Sequence, residues 1–262
     1  YSNQSESWVY VSDHDGDKTF LFSSKNNNWS SWNNYFTTHL DISKEDAPND
    51  HSGKQDFSIL LNYPNLNSVS FALPDWLSHL DNFSPKDETN FDKVTSLQLM
   101  LFSSNSSLYN DFPALTGIKN LKSLSLSGTP NFNDLSPLSD LTDLTSLTFA
   151  SGYGYKDLSP LSDLTNLTSL SLPSSSFLYD LSPLAGLANL NSLTLNETSG
   201  DTFDMSPIAA LPNLRFLKTG LGHTRTQLAP LANVSNLSLE IHIDEVNASA
   251  LTDLTNLISL EV

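Results

Sequence analysis

Three copies of one motif lie in the middle of the chain: LSPLSDLTDLTSLTF (135–149), LSPLSDLTNLTSLSL (158–172) and LSPLAGLANLNSLTL (181–195). If Leu144, Leu167 and Leu190 are each position 0, apolar residues fill positions −9, −6, −3, 0, +3 and +5 of each copy. A motif that recurs in one register every 23 or 24 residues predicts a repeat protein. In the best copies position 0 falls at Leu121, Leu144, Leu167, Leu190 and Leu214.

Two spacings within each copy predict two kinds of local structure. The period of three from −9 to 0 predicts a 3₁₀-like turn, and the alternation at +3 and +5 predicts a short strand. A Ser–Pro pair such as Ser136–Pro137 predicts that the serine caps the turn and the proline begins it. Since no single unit can bury its leucines, we expect the units to stack with parallel strands around one core, which is a solenoid.

Less regular copies of the motif extend the frame on both sides, so the chain holds nine copies in all. Leu40 and Ile42 are candidates for a tenth copy. The copy at Leu237 breaks the frame, because positions +3 and +5 would hold Glu240 and His242. A strand shifted by one residue restores the alternation that a half-buried strand needs. The inward residues of that shifted strand would be Leu239, Ile241 and Ile243.

The first 55 residues differ in composition from the rest of the chain. Only two of the 46 leucines precede residue 60, whereas nine of the 26 aromatic residues lie within residues 1–40. The segment WVYVSDHDGDKTFLF (8–22) predicts a β-hairpin. We therefore expect an aromatic-rich cap at 1–55 and a solenoid of about nine repeats at 56–262. The apolar layer that ends at Val262 predicts that the solenoid is incomplete and that the polypeptide continues.

The wording SPLxxLxNLxxLxL resembles the leucine-rich repeats of the internalin family of Gram-positive bacteria. The resemblance covers residues 56–262. It implies a right-handed α/β horseshoe with a parallel concave β-sheet and short 3₁₀ turns on the convex side. It also implies an adhesion protein, secreted or attached to the cell wall, that binds a partner and catalyses no reaction.

Composition and motifs exclude several other functions. A net charge of −17 disfavours binding to nucleic acid or to an anionic membrane. The chain has no cysteine, no catalytic or nucleotide-binding fingerprint and no apolar stretch long enough to span a bilayer. Asp13, Asp15 and Asp17 surround Gly16, but their spacing differs from a calcium loop and favours a plain turn. We expect no cofactor, no metal and no catalytic residue.

The outward positions +2 and +4 of the strands predict where a partner would bind. They are almost all small until the carboxyl-terminal units, which present Phe216, Lys218, Glu240 and His242. Large and chemically varied side chains are typical of binding hot spots. We expect a protein-binding patch at these four residues, against ordinary variation near a terminus as the alternative.

Aromatic residues outside the strands predict two further sites. Tyr153 and Tyr155 cannot both point inward beside Gly152 and Gly154, so one of them is expected to join Tyr179 in an exposed rim. Flat rings near amides, as at Trp29, Trp32 and Tyr35, are typical of glycan binding, although a cap needs bulky residues too. Three functions therefore stay open: a protein-binding module, a carbohydrate-binding protein and a structural spacer. The protein partner of the first could belong to a host or to a cell surface.

An aspartate column predicts a structural role. The same position, −10, holds aspartate in unit after unit, where a carboxylate can accept hydrogen bonds at the start of the turn. A basic partner along this edge is the functional alternative. The column comprises Asp56, Asp111, Asp134, Asp157, Asp180 and Asp204.

Overall fold

The chain carries one open β-sheet whose strands run side by side along a solenoid. The structure is a computed structural model, and it describes residues 8–12, 19–23, 39–42, 67–73, 93–101, 118, 120–128, 134–150, 155–172, 180–195, 204–220, 228–241 and 251–261. The strands in this part of the chain are β1 (Trp8–Ser12), β2 (Thr19–Ser23), β3 (His39–Ile42), β4 (Ser68–Leu73), β5 (Ser96–Leu101), β6 (Ser123–Gly128), β7 (Ser146–Phe149), β8 (Ser169–Leu172), β9 (Ser192–Leu195), β10 (Phe216–Thr219), β11 (Leu237–Ile241) and β12 (Leu257–Glu261).

The order of the strands in the sheet follows the order of the repeats. From β3 to β12 each strand pairs in parallel with the next, and β1 pairs antiparallel with both β2 and β3. The predicted hairpin and the predicted parallel sheet are confirmed. Leu40 pairs with Val69 and Ile42 with Phe71, so the tenth copy is present as β3. The right-handed coil, the capping role of the hairpin and the domain boundary at residue 55 stay predictions.

The leucines at position +3 form a continuous spine, as the predicted stacking around one core requires. Leu124, Leu147, Leu170 and Leu193 face one another across β6 to β9 and are at most 1% exposed. Alternation along a strand sends every second side chain to the same face, so the register that aligns these leucines aligns the whole core.

Short helical turns lie on the other side of that core. They are the 3₁₀ helices Ser136–Leu138, Ser159–Leu161, Ser182–Gly186 and Ala229–Asn233, and the single α-helical turn α1 (Ser206–Ala209). Their buried residues join the strand leucines in one apolar cluster. The core is therefore a layer between sheet and turns, as a solenoid of stacked units requires.

The predicted serine caps are wrong in detail, since the capping side chain belongs to the preceding aspartate. Ser136 is already the first residue of its turn and Leu135 occupies the N-cap position, without a side-chain cap bond. The backbone N–H of Ser136 instead donates to Asp134 Oδ1 at 2.8 Å, as in an Asx turn. Identical 2.8 Å bonds join Ser159 to Asp157, Ser182 to Asp180 and Ser206 to Asp204.

Two hydrogen-bond ladders connect neighbouring units at the amino-terminal ends of the strands. In the first, the carbonyl at position +1 accepts both N–H groups that open the next strand: Lys122 O accepts from Thr145 N at 2.8 Å and Ser146 N at 3.0 Å. In the second, the Asn amide at position −1 reaches back to a carbonyl of the previous unit. Its rungs measure 2.8–2.9 Å and join Asn166 to Thr142, Asn189 to Thr165, Asn213 to Ala188 and Asn256 to Ala232.

The predicted shift of the Leu237 copy is confirmed. Leu239 and Ile241 are buried, and Glu240 points to the outward face of the sheet. Leu237 is followed directly by Ser238, which pairs with Phe216, so this unit lacks the residue that fills position +1 elsewhere. Ile243, also predicted to point inward, lies outside the described residues.

We predict that Leu147→Ala lowers the free energy of unfolding by about 2–5 kcal/mol, because it opens a cavity in a layer that both neighbouring units share. Guanidinium titration followed by circular dichroism measures the loss. The control is Thr148→Ala, one residue along β7 on the outward face, which should cost far less. Equal losses for the two variants would contradict the assignment of the faces.

Candidate interaction surface

Two rows of side chains cover the outward sheet face, which is the face turned away from the leucine core. The first row is polar and small over most of its length: Ser68, Ser96, Ser123, Ser146, Ser169, Ser192, Phe216, Ser238 and Ser259. The second row changes from small to charged: Ser70, Gln98, Ser125, Thr148, Ser171, Thr194, Lys218, Glu240 and Glu261.

Three of the predicted binding residues come together on this face. Phe216 and Lys218 lie two residues apart on β10, and Glu240 faces Lys218 from β11. The ammonium of Lys218 donates to Glu240 Oε1 in an ion pair whose side chains stay 44% and 31% exposed. Phe216 is partly exposed. We call these three residues the β10–β11 patch.

The neighbours of Phe216 leave its ring accessible from the side. Within its row it stands between Ser192 of β9 and Ser238 of β11, both too small to cover an aromatic ring. Strands in a sheet lie about 4.8 Å apart, so these two serines are the closest cross-strand neighbours of the ring. Phe216 is the one aromatic residue in these two rows, which run from Ser68 to Ser259 and from Ser70 to Glu261.

Tyr155 does not belong to an exposed rim, which corrects its assignment as a binding residue. It is 3% exposed, and its ring stacks on Phe149 with the centroids 6.4 Å apart. Burial raises the pKa of its hydroxyl far above the ordinary value of 10.0. Tyr155 lies two residues before Asp157, whose carboxylate accepts the hydrogen bond at the start of the turn.

The other predicted site residues lie outside the described part of the chain. These are His242, Tyr153, Tyr179, Trp29, Trp32 and Tyr35. The exposed rim and the glycan site therefore stay predictions.

Residues of β12 add features that the repeat frame did not single out as a site. Glu261 pairs in register with Glu240 and extends the charged end of the second row. Ile258 and Leu260 are 66% and 45% exposed. Leu260 pairs with Leu239 and therefore belongs to the inward row. Leu239 covers it from one side. The frame contained the signal for Glu261, since it assigns this residue to position +4.

The four described members of the aspartate column are structurally engaged, as their position predicted: Asp134, Asp157, Asp180 and Asp204. Asp56 and Asp111 lie outside the described residues. The hydroxyl and then the backbone N–H of Ser159 donate to Asp157, and these hydrogen bonds hold the pKa of Asp157 below its ordinary value of 3.8. For Asp134 the matching bonds from Ser136 outweigh both desolvation and the repulsion from Asp157, which raise the pKa. Hydrogen bonding therefore dominates over the repulsion between neighbouring carboxylates.

Within the described ranges, no group of three or more His, Cys, Asp or Glu side chains is placed to hold a metal ion. No helix in that part of the chain is both long and apolar enough to cross a membrane.

Comparisons with known proteins agree with this geometry. A scan with protein-family models gave no match, and a search among curated proteins gave none either. Among solved structures, the chain is similar to an internalin from Listeria monocytogenes, with 28% identity and a TM-score of 0.55. That likeness covers 86% of this chain and 66% of the internalin, slightly less than two thirds.

Two more distant structures share the fold. A leucine-rich repeat protein from Leptospira interrogans is 17% identical with a TM-score of 0.54, over 88% of this chain and 61% of that one. The leucine-rich repeat ectodomain of a plant membrane receptor kinase from Arabidopsis thaliana, in complex with Casparian strip integrity factor 2, is 19% identical with a TM-score of 0.50. It covers 78% of this chain and 31% of that one.

The stacked units, the parallel sheet and these likenesses define the class: the chain is a leucine-rich repeat protein. Within that class its repeat wording and its similarity to the Listeria structure make it internalin-like.

We predict that the stabilising effect of Asp157 disappears in acid. Its pKa is lowered in the folded state, so the charged carboxylate stabilises the fold above the ordinary value of 3.8, and this contribution is lost as the pH falls through the lowered pKa. Asp157→Asn should therefore unfold at lower denaturant concentration than the wild type near neutral pH, and the gap should close between about pH 5 and about pH 2.

The measurement is a set of urea titrations across that pH range. Asp163→Asn is the matched control, because it removes one charge from the other end of the same turn without touching the bond to Ser159. A gap that stays constant with pH would contradict the assigned cap.

Proposed function

We propose that this protein is an extracellular bacterial adhesion module that binds a protein partner through the β10–β11 patch. The observation that carries the proposal is the juxtaposition of Phe216 with the Lys218–Glu240 ion pair on an otherwise small and polar sheet face. Binding energy at protein interfaces concentrates in a few large side chains surrounded by weaker contacts.

The surroundings of Phe216 favour a protein partner. An aromatic ring flanked by serines can receive an apolar side chain from the partner, while the hydroxyls offer hydrogen bonds at the margin of the contact. The small side chains on the rest of the outward sheet face allow a partner to approach closely, but they offer no strong anchor. We therefore expect affinity to depend on the patch and the serine rows to contribute shape complementarity.

The ion pair favours specificity over raw affinity. Lys218 and Glu240 are already joined, so a partner meets both signs of charge in a fixed arrangement and loses little freedom in pairing with them. The net charge of −17 adds long-range attraction for a partner with a basic surface.

The comparisons support the extracellular part of the proposal. The internalin resemblance suggests a protein of a Gram-positive bacterium, secreted or attached to the cell wall. The plant ectodomain of the same fold was solved in complex with Casparian strip integrity factor 2, which supports a role in recognition of a partner. The likeness covers 66% of the internalin's length. A function that depends on the full length of such a protein is therefore part of this proposal.

The test is binding of the purified, labelled chain to an array of cell-surface and extracellular-matrix proteins and, in parallel, to a glycan array. We expect hits among the proteins. Phe216→Ser should weaken each of them by about 30-fold, which corresponds to about 2 kcal/mol for the loss of a hot-spot residue. Serine is the residue that neighbouring strands carry in this row, so the substitution suits the fold.

The control variant is Thr148→Ser, in the second row of the same face and away from the patch. It should bind as the wild type does. Hits on the glycan array alone would favour the carbohydrate-binding alternative and overturn the proposal, as would protein hits that Phe216→Ser leaves unchanged. A chain that binds neither array would favour the structural spacer.

A further inference from the structure

Two neighbouring units of the solenoid differ by one residue at the start of their strands. The first reads NLSLE from Asn236, and the second reads NLISLE from Asn256. The pairing of β11 with β12 shows the same difference, because its register shifts between Leu237 and Ser238. Ile258 of β12 faces no residue of β11 in that register. The unit of β11 therefore lacks a residue that its neighbour has.

The missing residue does not disturb the pairing of β11 with the preceding strand. The residues of β10, from Phe216 to Thr219, face β11 without a break in register. Leu239 points into the core, and Glu240 faces Lys218 on the outward side. A deletion that is not taken up before the strand would shift the register by one residue and turn Glu240 towards the core. The backbone at the start of β11 must therefore compensate for the deletion.

Asn236 has a backbone geometry that can compensate. Its φ is 60°, and it is the one residue other than glycine in the described ranges with a positive φ. This is the left-handed region, which Asn tolerates better than most residues and in which a chain turns sharply, as at the ends of helices. β11 accordingly begins at Leu237, directly after Asn236, whereas β8 begins at Ser169, two residues after the corresponding Leu167.

Asn256 shows the same position in a unit that has its full length. Its φ is outside the left-handed region, and its amide donates to Ala232 O at 2.8 Å in the ladder between units. The side chain of Asn236 is exposed, and within the described residues it forms no such rung. What distinguishes Asn236 is therefore the conformation of its backbone and not a contact of its side chain.

We infer that Asn236 is the positioning residue of the β10–β11 patch: its left-handed backbone takes up the missing residue and so holds Glu240 opposite Lys218. The inference rests on the proposed function only in its consequence for binding, because a partner would meet the two charges in the arrangement that Asn236 fixes. The placement itself is testable on the free chain. A failure of the placement is therefore distinguishable from a failure of the proposed function.

The experiment is native-state hydrogen exchange of the full chain, followed residue by residue by NMR. The amide of Ser238, which donates to Arg215 O at 2.8 Å, reports on the pairing of β11 with β10. The amide of Ser146, which donates to Lys122 O at 3.0 Å, is the internal reference in a remote unit. Because each unit contacts its nearest neighbours, a local change at β11 should leave that reference unchanged.

Three substitutions of Asn236 change the cost of the left-handed backbone. Asn236→Val should accelerate exchange of the Ser238 amide by about tenfold or more, because a β-branched residue is strongly disfavoured in that conformation. Asn236→Gly should exchange as slowly as the wild type, since glycine adopts the conformation readily. Asn236→Ala should lie between them and keeps the comparison available if the valine variant does not fold.

Rescue by insertion separates this role from a general preference for Asn before the strand. One threonine inserted between Leu237 and Ser238 restores NLTSL, the wording of residues 166–170. The unit then has its full length and no longer needs a left-handed residue. In that background Asn236→Val should exchange no faster than Asn236→Gly.

The matched control is Asn166, in a unit that has its full length. Asn166→Gly and Asn166→Val both remove the rung to Thr142 O, and glycine should give the Ser169 amide no advantage over valine. The inference would be overturned by an Asn236→Val variant that exchanges as the wild type does. It would also be overturned if the insertion left the effect of valine in place, or if glycine were equally favoured at Asn166.

Discussion

Every unit of this protein depends on its neighbours to exclude water from its leucines. A single coil has a strand on one side, a turn on the other and one layer of apolar side chains between them, too thin to be buried alone. Stacking buries that layer on both sides and sets the strand register, since the inward rows must align. The parallel sheet, the aligned spine from Leu124 to Leu193 and the backbone ladders all follow from this requirement.

The sequence predicts the parts of the structure that stacking controls. The inward positions, the parallel order and the one-residue shift at Leu239 were all readable from apolar spacing, because a misplaced residue would expose the core. The hairpin of β1 and β2 was readable from its alternation and its turn residues. The small outward face was readable too, as was the meeting of Phe216, Lys218 and Glu240, since the register fixes which side chains become neighbours.

Features outside that periodic constraint were harder to predict. The choice between Tyr153 and Tyr155 depends on the path of the chain between a strand and the next turn, where no repeat fixes which side chain points inward. The turn could be capped by serine or by the aspartate two residues before it, and hydrogen-bond geometry selects the aspartate. The Asn rungs were missed although Asn recurs at position −1, because its carbonyl partner lies in another unit.

The near identity of adjacent coils also bears on how such a protein can change in length. Residues 135–149 and 158–172 are almost interchangeable in wording and present the same surfaces to the coils on either side. A gene segment that encodes one coil could therefore be duplicated or lost by recombination, and the new contacts would reproduce those already present. The length of the sheet could therefore evolve in whole coils.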